Sequence, residues 1–281
     1  MAIRKADIMA EVPTEQAVQP ERAAEPEQAA KPEQAAKPEQ AAKPEQAAKP
    51  LVSVAIPSHN RAAYLLECLT YLIKQTYRPF EIVVVDDAST DGTAEQVERW
   101  WNHHKNRTDI GFLYHRLPRR VGFAYAQSIA YFLSKGDYIA NHDSDDLSHP
   151  ERLKMQVQFL STHPDIAMLG TNYEVFSTDL TTSRRRPSRF LKYGPDILAS
   201  YAAGKHCVCS GSLMIRRELV NQIGGLTTYA AGAEDWEYVA RAITQGFAVE
   251  NLHQVLYYYR SHEQQRSRKY YGKDSAAHEQ E

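Results

Sequence analysis

The chain has 281 residues, with 33 lysines and arginines against 35 aspartates and glutamates and a formal net charge of −2. This balance argues against a nucleic-acid binder, because proteins that grip the phosphate backbone carry a net basic surface. No apolar stretch reaches the roughly twenty residues that cross a bilayer, and the N-terminus lacks the apolar run of a signal peptide. Three cysteines do not make a disulfide framework. We therefore expect a protein without a transmembrane segment, in the cytoplasm or at the periphery of a membrane or surface assembly.

The first fifty residues differ in composition from the rest of the chain. The unit Pro-Glu-Gln-Ala-Ala-Lys occurs four times in succession from Pro26 to Lys49, after a degenerate copy that begins at Pro20. A proline every sixth residue stops a helix from propagating, and alanine offers too little apolar surface for a stacked β-helix or a packed core. We predict that residues 1–50 are a disordered tail or spacer. The functional alternative is an arm that docks a partner or tethers the protein to a surface.

The remaining sequence suits one sizeable core, so we assign residues 51–265 to a single domain and residues 266–281 to a polar C-terminal tail. Strands and helices alternate in the first half, which predicts parallel strands joined by crossover helices. Its predicted elements are a strand at 51–56, a helix at 62–75, a strand at 81–85, a helix at 93–101, a strand at 112–115, a helix at 122–133 and a strand at 138–141. The second half is less regular. Its predicted elements are a helix at 150–160, a strand at 167–176, a basic loop at 183–189, a helix at 195–203, a strand at 208–215, helices at 217–223 and 234–245, and an extended segment at 247–259.

Two clusters of carboxylates follow predicted strands. Asp86 and Asp87 come directly after the apolar run at 81–85, and residues 143–146 (Asp-Ser-Asp-Asp) follow the strand at 138–141. An unbroken β-branched run is typical of a strand covered on both faces, and ligands of parallel sheets bind beyond the carboxyl ends of such strands. Hard divalent cations take oxygen ligands and bridge to phosphate oxygens, so this edge is a candidate site for a metal-bound phosphate ester. The alternative is a solvated acidic turn that caps the helix near Pro150.

Four motifs in this order resemble the inverting GT-A glycosyltransferases of family 2, over nearly all of residues 51–265. The motifs are residues 52–61, residues 85–93, residues 143–146 and residues 234–236 (Glu-Asp-Trp). The resemblance implies an α/β GT-A domain, Rossmann-like, with a mostly parallel central sheet flanked by helices. It also implies transfer of a hexose or N-acetylhexosamine from a nucleotide-diphosphate sugar, most often UDP-linked, with inversion and with the help of Mn²⁺ or Mg²⁺.

By this resemblance, the nucleotide would contact residues at the ends of the first two strands, at the start of a helix and in the acidic cluster. They are Pro57, Ser58, His59, Asn60, Arg61, Asp87, Gly122, Asp143 and Ser144. Asp87 would hold the nucleobase, because a carboxylate accepts an imide N–H without offering a competing donor. Asp86 is its rival, since strand alternation turns only one of the two side chains into the pocket.

The same resemblance makes Asp145 a metal ligand and Asp235 the catalytic base, with His262 of residues 258–262 (Tyr-Tyr-Arg-Ser-His) as a second metal ligand. A metal neutralises the negative charge that builds on the departing nucleoside diphosphate. Asp235 lies on the first turn of a predicted helix, where the macrodipole favours the ionised carboxylate. That carboxylate can take the proton of an attacking hydroxyl, so a single displacement inverts the sugar. The acceptor would be a glycan, a lipid carrier or a protein, and the sequence predicts no oligomeric state.

Several alternatives stay open at the level of sequence. A nucleotidyltransferase would carry a Gly-rich basic phosphate loop after its first strand, and residues 57–60 are not one. A catalytically inactive nucleotide- or sugar-binding module, displayed by the repeat tail, would bind without turnover. The arginines at 119–120 and 184–186 could hold the diphosphate, shape a lid or lie in solvated loops. His206 with Cys207 and Cys209 could be a fragment of a zinc site, or the cysteines could be small buried packing residues.

Overall fold

The computed structural model describes residues 48–107, 109–177, 179–183 and 185–271, which contain nine strands and eight α-helices. The predicted tail at 1–50 therefore lies outside the described residues, apart from its last three positions. Residues 272–281 of the predicted C-terminal tail lie outside them as well. Of the described helices, none has both the length and the apolar composition that a membrane crossing requires.

One half of the sheet is parallel, as the alternating sequence pattern predicts. Its strands are β1 (Val52–Ser58), β2 (Phe80–Asp86), β3 (Ile110–Arg116) and β4 (Tyr138–Asn141). The helices between them are α1 (Ala62–Leu72), α2 (Thr93–His104) and α3 (Phe123–Leu133). The strands pair in the order β3-β2-β1-β4, so their carboxyl ends meet at one edge.

The other half of the sheet is mixed. Its strands are β5 (Leu147–Ser148), β6 (Ile166–Phe176), β7 (Arg186–Pro187), β8 (Met214–Arg216) and β9 (Ala248–Arg260). The sheet continues from β4 through β8, β6 and β9 to β5, with β7 paired to β6. β8 runs antiparallel to both of its neighbours, whereas β6 and β9 are parallel. The remaining helices are α4 (Arg152–Thr162), α5 (Pro195–Ala202), α6 (Arg217–Ile223), α7 (Glu234–Thr244) and α8 (Arg266–Tyr271).

The core lies on both faces of the sheet. Val54 and Ile82 point to the side covered by α1 and α4, while Ala55 and Val83 point to the side covered by α3, α6 and α7. All four side chains are fully buried. This alternation explains why β1 and β2 read as continuous apolar runs, since both of their faces are covered.

The strand predicted at 208–215 is wrong over most of its length. A 3₁₀ turn at Ser210–Ser212 interrupts it, and of the predicted range only Met214 and Ile215 belong to a strand, β8. Polar side chains compete for the backbone here: the Asn141 amide donates to the Ser210 carbonyl over 3.1 Å, and the Ser212 hydroxyl accepts the Thr171 N–H over 3.0 Å. The turn also brings Gly211 so close to the acidic cluster that an added Cβ would lie 2.8 Å from Asp143 Oδ2.

Smaller differences concern short strands and the ends of elements. The helix predicted from Pro150 begins at Arg152, and the two-residue strands β5 and β7 were not predicted, although β7 lies within the basic loop predicted at 183–189. The domain was predicted to end at residue 265, but helix α8 follows directly at Arg266 and lines the same cleft as the rest of the domain. The polar composition of residues 266–271 gave no sign of this packing.

We expect Leu69→Ala to lower the free energy of unfolding by about 2–5 kcal/mol, because Leu69 is fully buried between α1 and the sheet and its loss leaves a cavity. The measurement is denaturant unfolding followed by circular dichroism. Leu198→Ala is the matched control, because Leu198 is 60% exposed and should change stability by less than about 0.5 kcal/mol. Equal losses in the two variants would contradict the assigned core.

Candidate functional site

A cleft of about 1320 Å³ lies at the carboxyl ends of β1, β2 and β4. It is lined by nearly all of the residues to which the sequence assigned a role: Pro57, Ser58, His59, Asn60, Arg61, Asp87, Gly122, Asp143, Ser144, Asp145 and Asp235. His262 is not among the lining residues, but its ring contacts Asp145. The structure therefore brings the predicted site residues together, although they are spread over two hundred positions of the chain.

The loop after β1 and the loop after β2 form one wall of the cleft and are joined by hydrogen bonds. Asn60 adopts a left-handed conformation with φ 51°, which asparagine tolerates better than most residues. Its backbone N–H donates to the Ser89 hydroxyl over 2.9 Å, and its side-chain oxygen accepts the Thr90 N–H over 2.8 Å. The His59 Nδ1 lies 2.7 Å from the Asp87 carbonyl oxygen. These contacts hold the two loops in a fixed relation before any ligand arrives.

Strand alternation separates the two carboxylates after β2. Asp86 is fully buried and accepts a hydrogen bond from the Tyr114 hydroxyl, so it faces away from the cleft. Asp87 lines the cleft and accepts the backbone N–H groups of Val121 and Gly122 over 2.6 and 2.8 Å. Asp87 therefore anchors the start of α3, and only its remaining lone pairs can serve a ligand.

The acidic cluster after β4 contains carboxyls in different environments. Burial, together with the charges of Asp145 and Asp235, raises the pKa of Asp143 to about 7. Burial also raises the pKa of Asp146, whose Oδ1 accepts the Arg260 N–H over 2.7 Å. Asp145 lines the cleft with 20% of its side chain exposed.

Asp145 shares the cleft with an imidazole and a guanidinium. Its Oδ2 lies 2.9 Å from His262 Nε2 and 3.6 Å from Arg61 Nε. The His262 ring packs on Tyr64, with ring centroids 4.8 Å apart. Among the described residues, no group of three or more His, Cys, Asp or Glu side chains is arranged to hold a metal. One carboxylate and one imidazole still suit a cation that takes its other ligands from water and phosphate.

A buried arginine, Arg152, lies close to the acidic cluster. Arg152 is fully buried, and burial lowers its pKa to about 10, so it keeps its charge at neutral pH. Its guanidinium donates to the Asn141 carbonyl over 2.8 Å, the Ser148 hydroxyl over 3.1 Å and the Gln156 side chain over 3.2 Å. It also lies 5.1 Å from the centre of the Tyr257 ring. The positive charge of Arg152 partly offsets the negative charge of the nearby carboxylates.

Asp235 lies in the first turn of α7 and lines the cleft. Its Oδ1 accepts the Trp236 N–H over 2.8 Å, and its Oδ2 lies 3.5 Å from His206 Nε2. Burial raises the pKa of Asp235, but the facing imidazole and the Trp236 N–H lower it by more, so the pKa lies below its usual value. The carboxyl is therefore ionised at neutral pH and has a partly exposed side chain.

Sequence reasoning gave no such role to His206, which lines the cleft, or to its buried partner Tyr201. The Tyr201 hydroxyl lies 2.6 Å from His206 Nδ1. Cys207 packs in the core with 1% exposure, as the packing alternative predicted, so the three residues 206, 207 and 209 do not converge on a metal. No motif spacing links positions 201, 206 and 235, so the sequence carried no signal for this group.

The C-terminal segment 261–271 forms a further wall of the cleft. Arg266 pairs with the Glu234 carboxylate, and its guanidinium lies 4.7 Å from the centre of the Phe123 ring.

Of the arginines considered for the diphosphate, Arg120 lines the cleft, whereas Arg185 pairs with Glu174 over 3.2 Å. Arg184 lies outside the described residues.

The sequence matches a known family and known relatives. Residues 53–224 match the family model described as glycosyl transferase family 2. The chain is 30% identical over 209 residues to a protein described as glycosyltransferase EpsE of Bacillus subtilis strain 168, covering 73% of this chain and 71% of that protein. It is also 30% identical over 174 residues to TuaG of the same strain, described as a teichuronic acid biosynthesis glycosyltransferase, covering 62% of this chain and 65% of TuaG.

Solved structures share the fold. The mannosyltransferase PcManGT from Pyrobaculum calidifontis, in complex with GDP-Man and Mn²⁺, has a TM-score of 0.59 at 23% identity and is matched over 80% of this chain. TarS from S. aureus, in complex with UDP, has a TM-score of 0.58 at 23% identity and is matched over 75% of this chain. The chain spans 60% of the length of each of these two solved chains.

These similarities confirm the predicted α/β fold with a mostly parallel sheet, and they confirm the resemblance carried by the four motifs. The family model covers more than half of the chain, and EpsE is matched over more than two thirds of both sequences. The chain therefore belongs to glycosyl transferase family 2.

Proposed function

We propose that this glycosyltransferase moves a hexose or N-acetylhexosamine from a UDP-linked donor to an acceptor hydroxyl, with inversion and with Mn²⁺ or Mg²⁺ at Asp145. One observation carries the proposal: an ionised carboxylate, Asp235, and a partly exposed carboxylate, Asp145, face the same cleft as the loop after β1. A base and a diphosphate site must share one cavity for a single displacement, because nucleophile and leaving group lie on opposite sides of the anomeric carbon.

The donor nucleotide would occupy the wall built from the loops after β1 and β2. Its base would meet Asp87, whose free lone pairs suit the imide N–H of uracil, and its ribose would lie near Asp143 and Ser144. PcManGT binds GDP-Man and TarS binds UDP, which supports a nucleotide-sugar donor without choosing the base.

Asp145 and His262 would hold the divalent cation, because their oxygen and nitrogen converge to 2.9 Å at the edge of the cleft. When bound, a divalent cation supplies positive charge against the phosphate oxygens of the leaving nucleoside diphosphate. Arg61 lies 3.6 Å from Asp145 Oδ2 and Arg120 lines the same cleft, so both add cationic groups of the chain itself.

Asp235 would act as the catalytic base. The acceptor oxygen forms its bond to the anomeric carbon as the bond from that carbon to the diphosphate breaks, and the hydroxyl proton passes to the Asp235 carboxylate. A covalent intermediate on the enzyme is not needed, so the configuration inverts. The name of TuaG refers to teichuronic acid biosynthesis, which favours a glycan acceptor and a role in polysaccharide biosynthesis over a protein or lipid-carrier acceptor.

The donor site can be tested by thermal shift of the full chain with UDP, GDP, CDP and dTDP, each with and without Mn²⁺. We expect a Mn²⁺-dependent rise in Tm with UDP, since a ligand at 100 times its Kd stabilises by about 2.7 kcal/mol. Asp145→Asn should remove the rise. Asp165→Asn is the matched control, because Asp165 is exposed and lies outside the cleft lining. Absence of any nucleotide effect in the unmodified chain would overturn the donor site, and a rise with GDP alone would replace UDP by GDP.

The base can be tested with Asp235→Asn. We expect kcat for release of UDP from UDP-glucose or UDP-N-acetylglucosamine to fall by about 10²–10⁴-fold, because the general base is lost. The Kd for UDP should not change. Glu218→Gln, at an exposed helix position, is the charge-matched control. Full turnover in Asp235→Asn would exclude this residue as the base, and UDP binding without turnover in the unmodified chain would favour an inactive binding module.

A further inference from the structure

Three side chains from separate parts of the sequence form a chain of polar contacts that ends at the proposed base. The Tyr201 hydroxyl lies 2.6 Å from His206 Nδ1, and His206 Nε2 lies 3.5 Å from Asp235 Oδ2. The His206 Nε2 atom is buried, and it has no hydrogen-bond partner within the described part of the chain. A buried N–H without a partner is costly, so its position beside a carboxylate calls for an explanation.

The Tyr201 hydroxyl determines which nitrogen of His206 carries the proton. Burial raises the pKa of Tyr201, and the charge of Asp235 raises it further, so the phenol keeps its proton. Within the described residues its hydrogen bond goes to His206 Nδ1. The phenol is therefore assigned as the donor and Nδ1 as the acceptor, which leaves the ring proton on Nε2, facing Asp235.

Packing fixes the plane of the imidazole. The Tyr201 ring meets it edge-on with centroids 5.8 Å apart, and the Phe190 ring does so at 5.5 Å. On its other side, Tyr201 stacks against Trp236, the neighbour of the base, with centroids 6.3 Å apart. A small rotation of the Asp235 carboxyl is enough to turn the 3.5 Å approach into a hydrogen bond.

Other charged or titratable groups also face Asp235, from several elements. They are Asp143 after β4, Tyr131 on α3, Tyr201 on α5 and Arg266 on α8, in addition to the adjacent Glu234. Asp143 opposes ionisation of Asp235 and Arg266 favours it, while neutral tyrosines add no charge. His206 faces Asp235 as well, and its Nε2 atom lies within 4 Å of the Asp235 carboxylate.

We propose that His206 is a positioning residue for Asp235: its Nε2–H donates to Asp235 Oδ2 and orients the carboxylate toward the acceptor hydroxyl, and Tyr201 sets the tautomer that makes this possible. The inference rests on the proposed role of Asp235. Because Nε2 already carries a proton, His206 does not take the proton of the acceptor. That proton goes to Asp235, and His206 keeps its Nε2 proton throughout the displacement.

The tautomer can be measured without any substrate. In full-length protein labelled with nitrogen-15 histidine, the His206 signals are identified by their loss in His206→Gln. We expect the chemical shifts of an unprotonated Nδ1 and a protonated Nε2 at neutral pH. Tyr201→Phe should weaken this preference, since it removes the hydroxyl that donates to Nδ1. A protonated Nδ1 with an unprotonated Nε2 in the unmodified protein would overturn the proposal.

Kinetics give the second test, with release of UDP from UDP-glucose and UDP-N-acetylglucosamine. His206→Ala should lower kcat by about 100-fold with little change in KM for the donor. The reason is that a displacement of a reacting group by about 1 Å lowers the rate about 100-fold. The acid limb of the pH profile should move to higher pH, since the imidazole no longer lowers the pKa of Asp235. His206→Gln should recover part of the loss, because its amide N–H can donate to Oδ2.

The matched control is His253→Ala, since His253 is exposed and stacks on Tyr193 away from the cleft lining. An active His206→Ala with an unmoved acid limb, beside an inactive Asp235→Asn, would overturn the role of His206 and leave the base intact. A fully active Asp235→Asn would overturn both roles. If His206→Ala does not fold, His206→Gln and the tautomer measurement still decide the question.

Discussion

The structure depends on keeping several carboxylates close together at the end of β4. Asp143, Asp145 and Asp146 follow one another within four residues, and Asp235 faces them from α7. Burial and the neighbouring carboxylates raise the pKa of Asp143 and of Asp146, and buried arginines oppose this effect. Arg152 lies beneath the cluster, and Arg260 donates its backbone N–H to Asp146 and its Nε to the Asp145 carbonyl over 2.7 Å. The mixed half of the sheet is thus tied to the parallel half through charge as well as through strand pairing.

The first half of the fold and much of the cleft could be predicted because their determinants are local. β2 reads as an unbroken apolar run and is buried on both faces, and β4 was predicted with the bounds that it has. The rule that parallel strands end at one edge then places Asp87 and Asp143 in the same cavity, although they are far apart in sequence. Patterns of two to ten residues were enough for these features.

The remainder could not be predicted because it depends on contacts between distant residues. The turn at Ser210–Ser212 forms where the Asn141 amide holds the Ser210 carbonyl, and neither residue signals the other in the sequence. The approach of His206 to Asp235 joins positions 29 apart, in elements with no shared motif. β5 has two residues and exists through its pairing with β9. The stability of such a short strand comes from pairing with its partner strand, so the strand propensity of its own residues does not reveal it.

The C-terminal segment links the two ends of the cleft through a short length of chain. His262 contacts Asp145 at the proposed donor end, and Arg266, four positions later, contacts Glu234 beside the proposed base. The Gln265 side chain accepts the His262 N–H over 3.1 Å, so the two contacts are part of one hydrogen-bonded turn. Displacing one contact therefore strains the other. A substitution in this turn affects both contacts. Sequence changes at the donor end and at the acceptor end of the cleft are therefore coupled in evolution.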